Sequence, residues 1–170
     1  EQLMHRYAAG EMKAFEELYQ RYQGPLYRYF QRQVQEPATV NDLYQGSWEK
    51  IINARSQYRS SAPFRAWLFR IAHNHLVDFF RARRPEVAMP ETEFVSDGLA
   101  PDELTEQRAW ADKFDAALRG LPAEQRNTLM LRFESGLGLV EIGKVTGVER
   151  ETVKSRLRYA TAKLKKVLKP

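Results

Sequence analysis

The chain has 170 residues, of which 43% are hydrophobic, carries a formal charge of +5 and contains no cysteine. That is apolar material for one domain of ordinary size or two small ones, which excludes wholesale disorder, and the missing thiols exclude disulfides, thiolate metal sites and cysteine nucleophiles. No run approaches the roughly 20 apolar residues that cross a bilayer and no signal-peptide pattern opens the chain, so a cytoplasmic protein with no direct membrane insertion is expected. Glu1 in place of a methionine points to a short segment preceding it.

In chain order the pattern is helical throughout, with no repeat and no strand-like alternation. Residues 12–34 set Phe15, Leu18, Tyr19, Tyr22, Leu26, Phe30 and Val34 at three-and-four spacing, an amphipathic helix. A second helix is expected after Thr39, whose hydroxyl with Asp42 three residues on resembles a capping box; Val40, Leu43, Tyr44, Trp48, Ile51 and Ile52 form its stripe. A third begins at Pro63 and runs to Arg83, where Pro85 stops it, with Phe64, Leu68, Ile71, Leu76, Phe79 and Phe80 toward the core. After the segment 85–102, helices are expected at 103–119, 123–134, 139–146 and 150–168, punctuated by Gly120, Pro122, Gly136 and Gly147.

Charge divides the chain further. Residues 1–84 hold 13 basic and 8 acidic side chains, residues 103–170 hold 14 and 9, and residues 85–102 hold five acidic ones and no basic one. Two bodies of +5 are thus joined by a connector of −5, whose Pro85, Pro90 and Pro101 and lack of periodicity predict a flexible acidic linker. The expectation is an all-α protein of two small helical domains, 1–84 and 103–170, each able to attract a polyanion.

The string His73-Asn74-His75 raises the possibility of a metal-dependent nuclease. On a helix, side chains two apart lie about 200° apart, so His73 and His75 face opposite ways and cannot clasp one ion. His75 and Asp78 have ligand spacing but lack a third partner. His5 stands alone, Glu16 and Glu17 read as a solvated face, and no phosphate loop occurs. No catalytic, metal or cofactor site is expected.

Residues 139–166 carry a mechanism. A helix-turn-helix needs a small residue where its helices cross and a glycine four residues later in the turn, and Gly143 and Gly147 meet both demands. Ile142, Val148, Val153 and Leu157 are the expected buried anchors. The second helix then presents Arg150, Thr152, Lys154, Ser155, Arg156, Arg158, Tyr159 and Lys163 to duplex DNA, with Lys165 and Lys166 behind. The competing reading is a basic solvated helix in an ordinary bundle, which leaves the paired glycines unexplained. In the first body, Tyr58, Arg59, Phe64, Arg65, Trp67, Phe69, Arg70, His73, Asn74, Arg81, Arg83 and Arg84 interleave cations with rings, a composition suited to stacking unpaired bases and holding their phosphates.

The stretches AFEELYQRY, NDLYQGSWEKI, YRSSAPFRAWLFRIAHN and LPAEQRNTLMLRFESGLGLVEIGKVTGVERETVKSRL follow, in order and spacing, a known pattern. With them the chain resembles the extracytoplasmic-function sigma factors of bacterial RNA polymerase over nearly its whole length. The resemblance implies a non-enzymatic initiation factor that directs core polymerase to promoters. Residues 1–84 would bind the polymerase clamp through Asp42, Leu43, Gln45 and Trp48. They would also capture the single-stranded −10 element through Arg59, Ser60, Ser61, Arg65, Trp67, Arg70, His73 and Asn74. Residues 103–170 would read the −35 element as duplex while the polymerase flap binds another side. An anti-sigma factor is the further partner implied. The chain departs from the family pattern at Gly46, where a glutamate is usual after the glutamine, and at Tyr159, where arginine is usual. The alternative is a stand-alone helix-turn-helix regulator acting without polymerase, for which residues 1–84 offer no ligand pocket or dimer stripe.

Overall fold

The computed structural model describes residues 1–59, 61–83 and 105–168, with backbone alone for 105–107. Among these every regular element is helical: α1 (Gln2–Ala8), α2 (Met12–Gln31), α3 (Pro37–Asn53), a 3-10 turn (Arg55–Gln57), α4 (Phe64–Ala82), α5 (Thr105–Arg119), α6 (Ala123–Ser135), α7 (Leu139–Thr146) and α8 (Arg150–Leu168). The acidic connector expected at 85–102 lies outside the described residues.

The first half is built largely on the predicted stripes, joined by Tyr29 and Ala72 and by Phe69, which is fully buried rather than available to stack on bases. Leu18, Leu26, Tyr29 and Phe30 of α2, Val40, Leu43, Trp48 and Ile51 of α3, and Phe64, Leu68, Phe69, Ala72 and Leu76 of α4 are all buried, the three-and-four spacing that puts one face of each helix inward. Two further expectations are corrected. Thr39 does not cap α3: the helix starts two residues earlier with Pro37 in its first turn, and the Thr39 hydroxyl instead donates to Glu36 Oε2 at 2.6 Å. Proline loses nothing in a first turn, where its missing N–H would have had no helical partner. Phe80 is 43% exposed rather than core, although its neighbour Phe79 packs against the core: one position on, the side chain is turned about 100° round the helix. Helix α1 went unpredicted. It is seven residues long, too short for its period to stand out, yet Met4 and Tyr7 are buried, and Tyr7 packs on Phe15 of α2 with ring centroids 4.8 Å apart.

The second half centres on the crossing of α7 and α8. A Cβ on Gly143 would sit 2.6 Å from the Val148 carbonyl oxygen, so only glycine lets the turn fold back that closely. Gly147 closes α7 in the left-handed region, at φ 72°, and Val148 N–H bonds back to the Gly143 carbonyl at 3.1 Å. Of the predicted anchors, Ile142 and Val153 are fully buried, and Val148 and Leu157 partly so.

The two halves are not separate in space. Helices α2 and α4 pack against α6 and α7, and the buried side chains of both halves form one continuous cluster.

A second close approach lies between α3 and α4. A Cβ on Gly46 would meet His75 Cε1 at 2.6 Å, so the imidazole fills the place a residue-46 side chain would take. The ring is tied down by Ser47, whose hydroxyl lies 3.2 Å from His75 Nδ1 and donates to the Leu43 carbonyl at 2.7 Å. The glycine is therefore the counterpart of the histidine.

Gly143→Ala is expected to destabilise the chain by about 1–3 kcal/mol in urea unfolding, the usual cost of forcing atoms into a packed crossing. Gly46→Ala is expected to destabilise the wild type and to be tolerated once His75 is also alanine. A double-mutant cycle should show about 0.5–3 kcal/mol of coupling; additive effects would contradict the interlock.

Candidate nucleic-acid interface

Helix α8 carries the set expected to face duplex DNA. Arg150, Thr152, Lys154, Arg158, Tyr159 and Lys163 are exposed, while Val153 and Ala160 on its other side are buried. Ser155 and Arg156 are partly buried, and Arg156 pairs with Glu124 of α6. Arg150 and Lys154 flank the single acidic residue of the surface, with Glu151 oxygens at 3.0 and 3.6 Å. Such exposed pairs are worth about 0–1 kcal/mol, so phosphates displace them readily. The Arg158 guanidinium lies over the Tyr159 ring, 5.0 Å from its centroid, and Lys163 Nζ donates to the Gly120 carbonyl at 2.6 Å. The forward part of the helix, Arg150 to Tyr159, thus carries the open basic edge, and Lys163 is turned back to the α5–α6 turn.

The strand-facing set divides differently. Arg59, Ser61, Arg70 and Asn74 are exposed, and Ser60 lies outside the described residues. Trp67 is half-buried among rings, its centroid 5.3 Å from Tyr58 and 5.9 Å from Phe64. Arg65 and His73 are engaged by the other half of the chain: an Arg65 nitrogen lies 3.5 Å from Glu141 of α7, and His73 Nδ1 is 3.1 Å from Asn127 Nδ2 of α6. His75 faces α3 instead, so the two histidines turn to different elements, as the helical geometry requires.

Of the residues expected to dock polymerase, Asp42 and Gln45 are exposed on α3, whereas Leu43 and Trp48 are 2% and 5% exposed. The latter two hold α3 from inside, and an approaching protein meets Asp42 and Gln45.

Sequence reasoning missed the polar cluster where the halves meet. Tyr29, 0% exposed, donates its hydroxyl to Asn127 Oδ1 at 2.7 Å; Gln33 Nε2 reaches the same oxygen at 3.5 Å; and Arg126 Nε donates to Gln33 Oε1 at 3.3 Å. Partners separated by 54 to 98 positions leave no local signal. Polarity runs through the cluster from one end. Guanidinium only donates, so Gln33 presents its oxygen to Arg126 and its NH2 to Asn127. Asn127 then accepts with its oxygen and donates with its nitrogen, which makes His73 Nδ1 an acceptor and the ring neutral. Burial pushes the His73 pKa below the ordinary histidine value and the Tyr29 phenol upward. Without Asn127 the buried hydroxyl would lack its acceptor, at about 1–3 kcal/mol.

Among the described residues, the ion pairs between the halves all run one way. Arg28 of α2 meets Glu134 of α6 at 2.8 Å, Arg32 of α2 meets Asp115 of α5, and Arg65 of α4 meets Glu141 of α7. Glu141 also accepts the Gly138 N–H at 2.7 Å, capping α7, which fixes its carboxylate where Arg65 finds it. The first half supplies the cations and the second the anions.

Comparison with known proteins agrees with both halves. Residues 18–86 match the family described as Sigma-70 region 2, and residues 117–166 match Sigma-70, region 4. The RNA polymerase sigma-H factor of Pseudomonas aeruginosa is 31% identical, over 100% of this chain and 94% of that one. The ECF RNA polymerase sigma factor SigW of Bacillus subtilis is 25% identical over 94% and 91%. Among solved structures, CnrH in complex with the cytosolic domain of CnrY superposes with a TM-score of 0.73 at 25% identity, covering 98% of this chain and 94% of that chain. The sigma factor RpoE from Bartonella quintana, in complex with the anti-sigma factor NepR, has the same fold, with a TM-score of 0.71 at 22% identity over 92% and 97%. The chain therefore belongs to the sigma-70 family of RNA polymerase sigma factors, in its extracytoplasmic-function group.

Proposed function

We propose that this sigma factor initiates transcription without bond chemistry of its own, by docking on core RNA polymerase and gripping a promoter with two tethered helical modules. The first module, 1–84, engages the clamp through the exposed Asp42 and Gln45, with Leu43 and Trp48 shaping α3 beneath them. It captures the −10 strand along α4 and the loop before it, with Arg59, Ser60, Ser61, Arg65, Trp67, Arg70, His73 and Asn74. The second module, 103–170, lays the α8 edge from Arg150 to Tyr159 into the −35 major groove and offers its remaining surface to the flap. The segment 85–102 joins them. The protein acts where core polymerase and chromosome are, in the cytoplasm. None of its helices among the described residues is long and apolar enough to cross a membrane. An anti-sigma factor is the regulatory partner, on the model of the two complexed relatives.

The observation that carries this reading is the α7–α8 crossing. Gly143 and Gly147 bring α8 out at the angle that leaves Arg150, Thr152, Lys154 and Arg158 facing solvent together. Such a set reads base edges with arginine and holds phosphates with lysine. The two promoter elements lie about 25 base pairs apart, or about 85 Å along the duplex. A packed chain of this length has a radius of gyration of only about 15 Å. The arrangement in which α6 and α7 lie on α2 and α4 must therefore open before both elements are held at once.

In transcription reconstituted with core polymerase, the chain is expected to direct initiation from a subset of a randomised promoter library. Lys154→Ala is expected to weaken −35 binding. The loss should be about 1–3 kcal/mol and sequence-selective if Lys154 meets a base, or uniform, with a shallower salt dependence, if it meets a phosphate. Transcription unaffected by either Lys154→Ala or Arg158→Ala would remove α8 from the reading face, and failure to co-elute with core polymerase would favour a stand-alone regulator.

A further inference from the structure

From the cluster at the junction of the halves we infer that the second half is an internal competitor for the −10 strand, latched by Asn127 onto a neutral His73. The inference rests on the proposal that α4 faces that strand, and adds how the chain withholds it. Two of the eight residues assigned to the strand, Arg65 and His73, are engaged by Glu141 and Asn127 when the halves are closed. The carboxylates of Glu134, Asp115 and Glu141 sit on three arginines of the first half, as strand phosphates would sit on such cations. Strand and second half thus cannot hold Arg65 and His73 together.

The latch has a defined protonation state. Arg126 can only donate, and through Gln33 and Asn127 that fixes His73 Nδ1 as an acceptor. A proton on Nδ1 would set two donors against each other. Asn127 cannot answer by turning over, because its nitrogen would then face the Gln33 NH2. Asn127 is the side chain that meets the ring, and the charged groups of the elements packed there are committed elsewhere: on α2 Arg32 pairs with Asp115, on α6 Arg126 donates to Gln33, and on α7 Glu141 is held by Arg65 and the Gly138 N–H. No carboxylate in this set is free to receive the new charge. In the open form His73 is more solvated and its affinity for a proton returns to the ordinary value. Closure is therefore fully in force above that value, about 6.5, and weakens as pH falls below it toward the lower value of the closed form.

The test uses the full chain, whose lack of cysteine lets Glu16→Cys and Lys165→Cys, both exposed, carry a donor and acceptor dye. Energy transfer is expected to be high at pH 8, to fall as the pH drops below the ordinary histidine value, and to be low at every pH in Asn127→Ala. His73→Gln, neutral throughout, should abolish the pH response. Circular dichroism of each variant checks that both halves stay helical. Binding of a fluorescent −10 single strand is expected to tighten about threefold to tenfold in Asn127→Ala, as when a minority competent form becomes the majority; a merely damaged fold would bind more weakly. Transfer that is the same in wild type and Asn127→Ala across the pH range overturns the latch. Transfer that responds while strand affinity does not rise overturns the competition. Transcription with core polymerase at pH 8 reports the promoter function separately, so either failure leaves that reading standing or falling on its own result.

Discussion

A guanidinium that cannot accept a hydrogen bond sets the orientation of the polar line at the centre of the junction between the two halves of this protein. From Arg126 the order passes to Gln33, then Asn127, then His73 and Tyr29. Each amide in that line has its two ends committed to different partners, so none can turn without breaking two contacts. The buried Tyr29 hydroxyl is the deepest point of the line. Its acceptor comes from the other half of the sequence, which ties the stability of the α2 core to where α6 lies. The apolar packing of α2 and α4 against α6 and α7 supplies the attraction, but apolar surfaces are tolerant of register. Directional groups at the centre are what select one docked arrangement from many.

The local architecture was legible in the sequence, and the reason is periodicity. Helices α2 to α8 all announce themselves through apolar spacing or through glycine and proline breaks, and the Gly143–Gly147 pair located the α7–α8 turn because sterics leave few alternatives there. Errors arose where the signal was short or ambiguous. Seven residues of α1 hold less than two turns of pattern, Thr39 resembled a cap while Pro37 was already in the helix, and Phe80 lies at the edge of the α4 stripe, where Phe79 and not Phe80 turns inward.

The candidate site was marked by composition, whereas its state in the fold was not. Arginine, histidine and asparagine along α4, and the basic edge of α8, could be picked out because their chemistry suits nucleic acid. That Arg65 and His73 would already be occupied could not, since Glu141 and Asn127 lie 76 and 54 positions away and carry no periodic mark. Gly46 shows the same limit. Judged against relatives it looked like a lost carboxylate; in three dimensions it is the space that His75 fills.

The one-way arrangement of the ion pairs has a consequence for how this molecule reports on itself. Dissolved ions screen Arg28, Arg32 and Arg65 from their carboxylates as they screen the cations of a DNA-binding face from phosphates. If the second half competes for the strand as proposed, raising ionic strength loosens the shut form and the DNA complex together, and part of the two losses cancels. The slope of log affinity against log salt, commonly converted into a number of phosphates neutralised, will be shallower for the intact chain than its true footprint warrants. Counting contacts that way would make a broad grip look narrow.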